Sequence, residues 1–291
     1  MNPPLAYLDG EFRDANTARV SLFDRAYLYG DSIFETLRSY DGVPFRLAGH
    51  LDRLEHASRL TGIALTENRE ELTALVHETL ARSGHREATI RVTVSRGEAA
   101  HGIGTAGCDA PVLSIIVRHL VGYGEQAYRR GVRSKVVGVR SVPAACLDPA
   151  MKCGNYLPNI MARRELEVDG MIEGVRLGVD GQVVGGTVSN VFLVDGDRLR
   201  TPHLASGCLP GITRAAVLEI AAGAGLKTEE DRVEPAELAR ADEMFFTNTI
   251  MECLPVARID DHGFSDVPGP ATAAIQQRFE ELVRQETGKY V

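Results

Sequence analysis

The chain has few cysteines, no surplus of basic charge and no long apolar run, and each shortage removes a class of function. Its five cysteines, Cys108, Cys146, Cys153, Cys208 and Cys253, are odd in number, scattered, and never spaced Cys-x-x-Cys. Neither a disulfide framework nor a zinc knuckle is supported, and reduced thiols fit better. With 32 basic against 40 acidic residues the formal charge is -8, and no Lys or Arg run forms a stripe. Nothing there neutralises a phosphate backbone, so nucleic acid is excluded as an expected partner. No stretch approaches the roughly 20 apolar residues that span a bilayer, and the opening residues lack a basic start followed by an apolar segment. The expectation is a cytoplasmic protein without a membrane partner. No internal repeat is present. The nearest approach to a dinucleotide fingerprint, Gly102-Ile-Gly104 followed by Gly107, precedes a strand pattern where a helix would be required.

What is present is a mixed α/β pattern (α+β) long enough for two domains, in a chain of 291 residues. Asp9-Gly10 and Asp41-Gly42 each separate strand-like runs, as tight hairpins do. Leu47, Leu51, Leu54 and Leu60 recur at helical spacing, as do Leu72, Leu75, Val76 and Leu80. Ile90, Val92 and Val94 alternate with polar neighbours, and residues 112–117 form a buried-type strand. These features predict a smaller N-terminal α+β domain over residues 1–118, a linker over 119–126, and a larger C-terminal α/β domain over 127–291. In the latter, strands are predicted at 132–139, 175–179, 183–184, 243–247 and 256–259. Helices are predicted at 155–167, 212–222 and 271–285.

Three local features carry possible chemistry. In Gly207-Cys-Leu-Pro-Gly-Ile-Thr-Arg214 a Pro-Gly turn delivers Thr213 into the first turn of a helix, where unpaired amides can hold a phosphate. Alone, the same pattern describes an ordinary capped helix. In His50-Leu-Asp-Arg-Leu54 an inward-leaning Arg53 would clamp a phosphate bidentately, although the helix in isolation favours an ion pair with Asp52, Glu55 or another surface acid. Lys152, between Met151 and Cys153, has apolar neighbours on both sides. A lysine held out of water can form a Schiff base, whereas most lysines are solvated surface charges, and spacing alone does not choose.

The order of these pieces chooses. Tyr29-Gly-Asp-Ser-Ile-Phe-Glu-Thr-Leu-Arg38, His50-Leu-Asp-Arg53, Lys152-Cys-Gly-Asn-Tyr156, Ser189-Asn-Val-Phe192, Leu209-Pro-Gly-Ile-Thr213 and Thr247-Asn-Thr249 follow one another along nearly the whole chain. In this the sequence resembles the fold-type IV pyridoxal-phosphate enzymes, which include branched-chain and D-amino acid aminotransferases and aminodeoxychorismate lyases. The resemblance implies a two-domain homodimer with partner residues near the active site. It implies pyridoxal 5'-phosphate as cofactor, Lys152 as the Schiff-base lysine and proton shuttle, Arg53 on the phosphate, and Ile212, Thr213 and Thr249 completing the phosphate cup. Tyr156 and Asn190 would lie close to the cofactor ring.

One part of the pattern is broken. The family places a Glu five residues before the Asn matched by Asn190, where it pairs with the pyridine nitrogen and keeps the ring an electron sink. Here that position is Gly185, and Val183-Val-Gly-Gly-Thr-Val-Ser-Asn190 contains no acid. Another acid could reach the ring, the cofactor could work in a less electrophilic form, or turnover could be lost. The Gly-Gly pair alone also suits a bend where the backbone passes another group, the cofactor ring included.

The reaction implied is amino transfer between an amino acid and a 2-keto acid. The alternative is 4-amino-4-deoxychorismate lysis with release of pyruvate. Thr36 and Arg38, in the strand with Phe34, are similar to the lyases, whereas Asn155 to Asn159 and Cys208 to Thr213 are similar to the aminotransferases. A weak or inactive cofactor-binding relative is the third reading, motivated by Gly185. Arg38, Arg96 and His101 are the candidate anchors for a substrate carboxylate. Arg38 fits a structural ion pair equally well, and His101 a solvated loop residue.

Overall fold

The computed structural model describes residues 3–99 and 102–288. The chain divides into two compact units. The first comprises Met1–Val121, Ala150–Asn155 and Val283–Val291, and the second Gly122–Pro149 and Tyr156–Leu282.

The first unit is built on an antiparallel sheet. Its elements are β1 (Leu5–Leu8), β2 (Glu11–Asp14), a short helix α1 (Arg25–Tyr29), β3 (Ser32–Tyr40), β4 (Val43–Pro44), helices α2 (Leu47–Thr61) and α3 (Arg69–Ser83), β5 (Ala88–Ser95) and β6 (Val112–His119). The strand order is β2-β1-β6-β5-β3-β4. Both predicted Asp-Gly hairpins form: Asp9 and Gly10, and again Asp41 and Gly42, have positive φ, the backbone that a two-residue turn between twisted strands requires. Alternation along β5 buries Ala88, Ile90, Val92 and Val94, and Ile33, Leu37, Leu51, Leu54, Leu72 and Leu80 of the same unit are buried as well. Helix α3 starts with a capping box in which Asn68 accepts from the Glu71 amide and the Glu71 carboxylate accepts from the Asn68 amide.

Within the second unit the elements are α4 (Glu125–Arg130), β7 (Val132–Ser134), α5 (Leu157–Glu167), β8 (Val175–Leu177), β9 (Val183–Gly186), β10 (Asn190–Asp195), β11 (Arg198–Pro202), α6 (Ile212–Ile220), β12 (Lys227–Asp231), α7 (Pro235–Leu238), β13 (Glu243–Asn248), β14 (Glu252–Ile259) and β15 (His262–Gly263). The final helix, α8 (Pro270–Thr287), begins in this unit. A seven-stranded sheet runs β12-β11-β10-β13-β14-β15 with β7 beside β14, and β8 and β9 form a separate antiparallel pair. Val175, Leu177, Val183, Val191, Leu193, Phe246 and Leu254 share its core.

Several boundaries differ from the sequence reading. The linker predicted over 119–126 is shortened at both ends, because His119 pairs with Ala88 in the sheet and α4 begins at Glu125, and the division between the two units falls between Val121 and Gly122. The strand predicted over 132–139 ends at Ser134, because beyond it the chain leaves β14 and Val136 bridges to Val175. Helix α5 starts at Leu157, two residues later than predicted, with a proline in its first turn. The segment carrying Lys152 groups with the first unit rather than the C-terminal one. The cause is hydrogen bonding along β3: the Phe34 amide donates to the Lys152 carbonyl at 2.9 Å, and the Gly154 amide to Ser32 at 2.8 Å.

Candidate active site

In the first unit the site is assembled on β3, whose residues alternate between two faces. Glu35 faces α2, and its carboxylate is wholly buried between two side chains of that helix. Arg53 grips it bidentately, Nε to Oε1 and a terminal nitrogen to Oε2, both at 2.7 Å, and His50 Nδ1 lies 2.7 Å from Oε2. Burial alone would raise the Glu35 pKa, but the bonds from Arg53 and His50 outweigh it and bring the carboxyl down to about 2. Burial also lowers the pKa of His50, and although Glu35 opposes this, the charges of Arg53 and Lys152 add to the lowering. A neutral imidazole donating through Nδ1 follows. The acids next to Arg53 in sequence, Asp52 and Glu55, are engaged by Arg69 instead. Neither of the partners that the helix in isolation offers Arg53 is used; its guanidinium is fixed on an acid 18 residues earlier in the chain. A charged residue on the core-facing phase of a strand was the available signal for Glu35.

On the next position of β3 the buried Phe34 lies under Lys152, with the ammonium nitrogen 4.3 Å from the ring centroid. The Arg91 guanidinium is 3.7 Å from the same ring, a neighbour the sequence reading missed. Thr36 pairs with Arg91 across the sheet and is half-buried. Arg38 stacks on Tyr40 and lies 3.9 Å from Glu87, as a structural ion pair would. Each nitrogen of Arg96 donates to a structural acceptor: Asp31 and the carbonyls of Gly62 and Thr61. Arg25 shares Asp31 and donates to the carbonyls of Gly102, Ile103 and Gly104, which lie between β5 and β6. His101 lies outside the described residues.

The remaining candidates belong to the second unit. Thr213 is buried in the first turn of α6, next to Ile212, and Gly211 precedes them without any side-chain cap on the helix. Amides in that turn are therefore left to another acceptor. Asn190 does not act on its own: its Nδ2 donates to the Leu209 carbonyl at 2.9 Å and so holds the loop before α6. A Cβ at Gly211 would stand 2.1 Å from Asn190 Oδ1, which makes glycine the residue that lets the amide through. Thr249 follows β13 in a turn, and the hydroxyls of Thr247 in β13 and of Ser189 are buried without a partner among the described residues. Tyr156, half-buried, immediately precedes α5. Gly185 is buried in β9, directly opposite Arg176.

Taken by itself, the second unit has uncapped amides and orphaned hydroxyls that fit a phosphate, and the first a lysine packed on an aromatic ring that fits a carbonyl group. Residues 32–259 match the family model for amino-transferase class IV. The chain belongs to the class IV aminotransferases. A Methanocaldococcus jannaschii relative, provisionally named a branched-chain-amino-acid aminotransferase, is 36% identical over 278 residues, 95% of each chain. The Bacillus subtilis aminodeoxychorismate lyase is 31% identical, with 96% of this chain and 95% of the lyase covered. Among solved structures, the Escherichia coli branched-chain amino acid aminotransferase superposes with a TM-score of 0.93 at 28% identity, covering 99% of this chain and 96% of that one. A second solved branched-chain amino acid aminotransferase, with pyridoxamine 5'-phosphate, gives 0.92 at 28%, covering 98% and 95%. The aminotransferase is thus a fold-type IV, pyridoxal-phosphate-dependent enzyme, as its sequence landmarks implied.

Proposed function

We propose that the aminotransferase moves an amino group between a branched aliphatic amino acid and a 2-keto acid, with Lys152 as the residue that holds the cofactor and shuttles the proton. The observation that carries this reading is the placement of Lys152: its backbone is hydrogen-bonded to β3, and its ammonium lies on Phe34. That fixes one mobile nitrogen against an apolar ring, as a covalent anchor and general base needs. Pyridoxal phosphate supplies an aldehyde that captures amines and a ring that withdraws electrons from the neighbouring carbon. Arg53, oriented by Glu35, would bind the phosphate together with Ile212, Thr213 and Thr249, while Asn190 shapes the loop before α6. Tyr156 and Gly185 would border the ring, and Phe34, Thr36, Arg38 and Arg96 the substrate, Arg96 by bracing its loop. Lys152, once its nitrogen is free, would take up and hold the proton from the substrate's α carbon.

Relatives named for branched-chain amino acids support the donor class. The lyase reading is supported by the Bacillus subtilis relative, and it predicts pyruvate release with no keto acid present. A homodimer in the cytoplasm, taking a small amino acid and keto acid, completes the proposal. Free thiols at all five cysteines suit that compartment.

The test is the visible spectrum of the protein with pyridoxal phosphate, before and after L- and D-amino acids are added. The expected result is a band absent from Lys152→Ala and shifted by L-leucine, L-isoleucine or L-valine. A band that survives Lys152→Ala removes the assigned role of that lysine. Pyruvate from aminodeoxychorismate alone, with no donor shifting the band, replaces transfer by lysis.

A further inference from the structure

The missing acid at Gly185 is matched by a basic residue facing it. In the antiparallel β8–β9 pair Gly185 stands directly across from Arg176, and directly opposed residues project from the same face of a pair. Arg176 is 6% exposed, with no ion pair among the described residues. One terminal nitrogen donates to the Arg140 carbonyl at 2.9 Å, whereas Nε is buried with no acceptor among the described residues. A buried charged N–H without an acceptor is costly, and its persistence implies an acceptor that binds there. Glycine across the pair leaves that face without a side chain. An added Cβ would stand 2.9 Å from the Ser189 carbonyl, which already accepts from the Gly186 amide.

The nearby buried acid, Glu173, has its Oε2 buried and unpartnered among the described residues, but it is turned to the other face of the pair. Its Oε1 accepts from the Thr187 amide at 2.7 Å, the Thr187 hydroxyl at 2.5 Å and the Gly174 amide at 2.9 Å. Its carboxyl carbon lies 3.2 Å from where a Cβ on Gly186 would stand. Successive residues of a strand face opposite ways, so Glu173 is placed on the face of Gly186 and Arg176 on the face of Gly185.

We propose that Arg176 is the partner of the cofactor's pyridine nitrogen, donating a hydrogen bond to it and keeping it unprotonated. The inference rests on the cofactor reading above. A guanidinium has donors only and is not deprotonated in proteins, so it pairs with a pyridine nitrogen solely through that nitrogen's lone pair. Where a carboxylate would hold a pyridinium, Arg176 holds a neutral ring. The electron sink is weaker, and more of the work of moving the α proton falls on Lys152. Gly185 and Arg176 are then one exchange in two parts: an acid replaced by glycine, and a base placed opposite.

The experiment is ¹⁵N NMR of the intact protein loaded with pyridoxal phosphate labelled at the ring nitrogen. In the natural protein the resonance is expected in the range of a hydrogen-bonded neutral pyridine. Arg176→Leu is expected to move it toward free pyridine and to weaken cofactor binding about tenfold. Arg176→Lys, which keeps a charged donor, is expected to keep a neutral ring and to restore most of the affinity. A pyridinium resonance in the natural protein overturns the assignment without recourse to any variant, and so does a resonance unmoved in a folded Arg176→Leu protein. Failure of the cofactor to bind at all overturns instead the reading on which the assignment rests.

Discussion

At the scale of single residues, Glu35 is a buried acid whose charge is balanced from within α2. Its carboxylate takes both arms of the Arg53 fork and the His50 proton while wholly buried. Replacing it by Gln removes the charge but leaves a buried guanidinium, and breaking such a pair costs about 3–5 kcal/mol. Urea denaturation of Glu35→Gln is expected to show that loss; a change below about 1 kcal/mol would mean that Arg53 finds another acceptor. The same triad sets a pH dependence. Both Glu35 and His50 have pKa values lowered by folding, from ordinary values of 4.5 and 6.5. Their stabilisation is therefore complete above the unfolded values and is lost as pH falls toward the folded ones. Stability of the natural protein is expected to decline first below about pH 6.5, through His50, and more steeply below about 4.5, through Glu35. His50→Gln keeps a donor to Glu35 without a titrating ring. In denaturation curves measured across this range it should abolish the upper part of the decline and spare the lower.

Elements carry a different lesson, because the loop before α6 is held from a strand it does not pair with. Asn190, the first residue of β10, reaches the Leu209 carbonyl only because position 211 has no Cβ. Gly211→Ala is expected to displace the Asn190 amide, to cost about 1 kcal/mol through the half-buried carbonyl it abandons, and to weaken cofactor binding. Combining it with Asn190→Ala separates this from a general helix effect. In the double-mutant cycle most of the Gly211→Ala penalty should vanish once Asn190 is already gone. Full additivity would mean that the two positions act apart. This arrangement was half legible. The motif Leu209-Pro-Gly-Ile-Thr213 announced a helix start suited to phosphate, and α6 begins there. Its dependence on Asn190 was hidden, since a contact across nineteen residues of sequence leaves no periodic trace. The hairpins at Asp9-Gly10 and Asp41-Gly42 were plain because their signal is local backbone chemistry. The end of β7 was not, because a strand stops where its neighbour does, and β14 lies more than a hundred residues away.

For the molecule as a whole, the order of landmarks along the chain disclosed the family, whereas the missing acid disclosed only a gap. The facing arginine became visible once the register of β8 and β9 placed residue 176 opposite residue 185. Association between copies poses the corresponding problem at the surface. Val20, Leu22, Phe23, Tyr27, Leu28 and Tyr29, all within ten residues of the first unit, are 43–70% exposed. Scattered exposed apolar residues need no explanation, but six in one short stretch around α1 concentrate apolar surface that water penalises. A second copy of the chain is the occupant that the proposed homodimer supplies, and an isologous contact would cover both patches at once. Sedimentation of the purified protein is expected to show a dimer, and Leu22→Asp combined with Phe23→Asp to shift it toward monomer while helix content is retained. A monomeric natural protein would remove the homodimer from the proposal. A dimer indifferent to both substitutions would move the interface away from α1. Because Arg25 in the same helix donates to the carbonyls of Gly102, Ile103 and Gly104, loss of that contact should also loosen the loop after Arg96. The dissociated variant is therefore expected to lose affinity for the amino acid, read as a raised KM, before it loses the cofactor band.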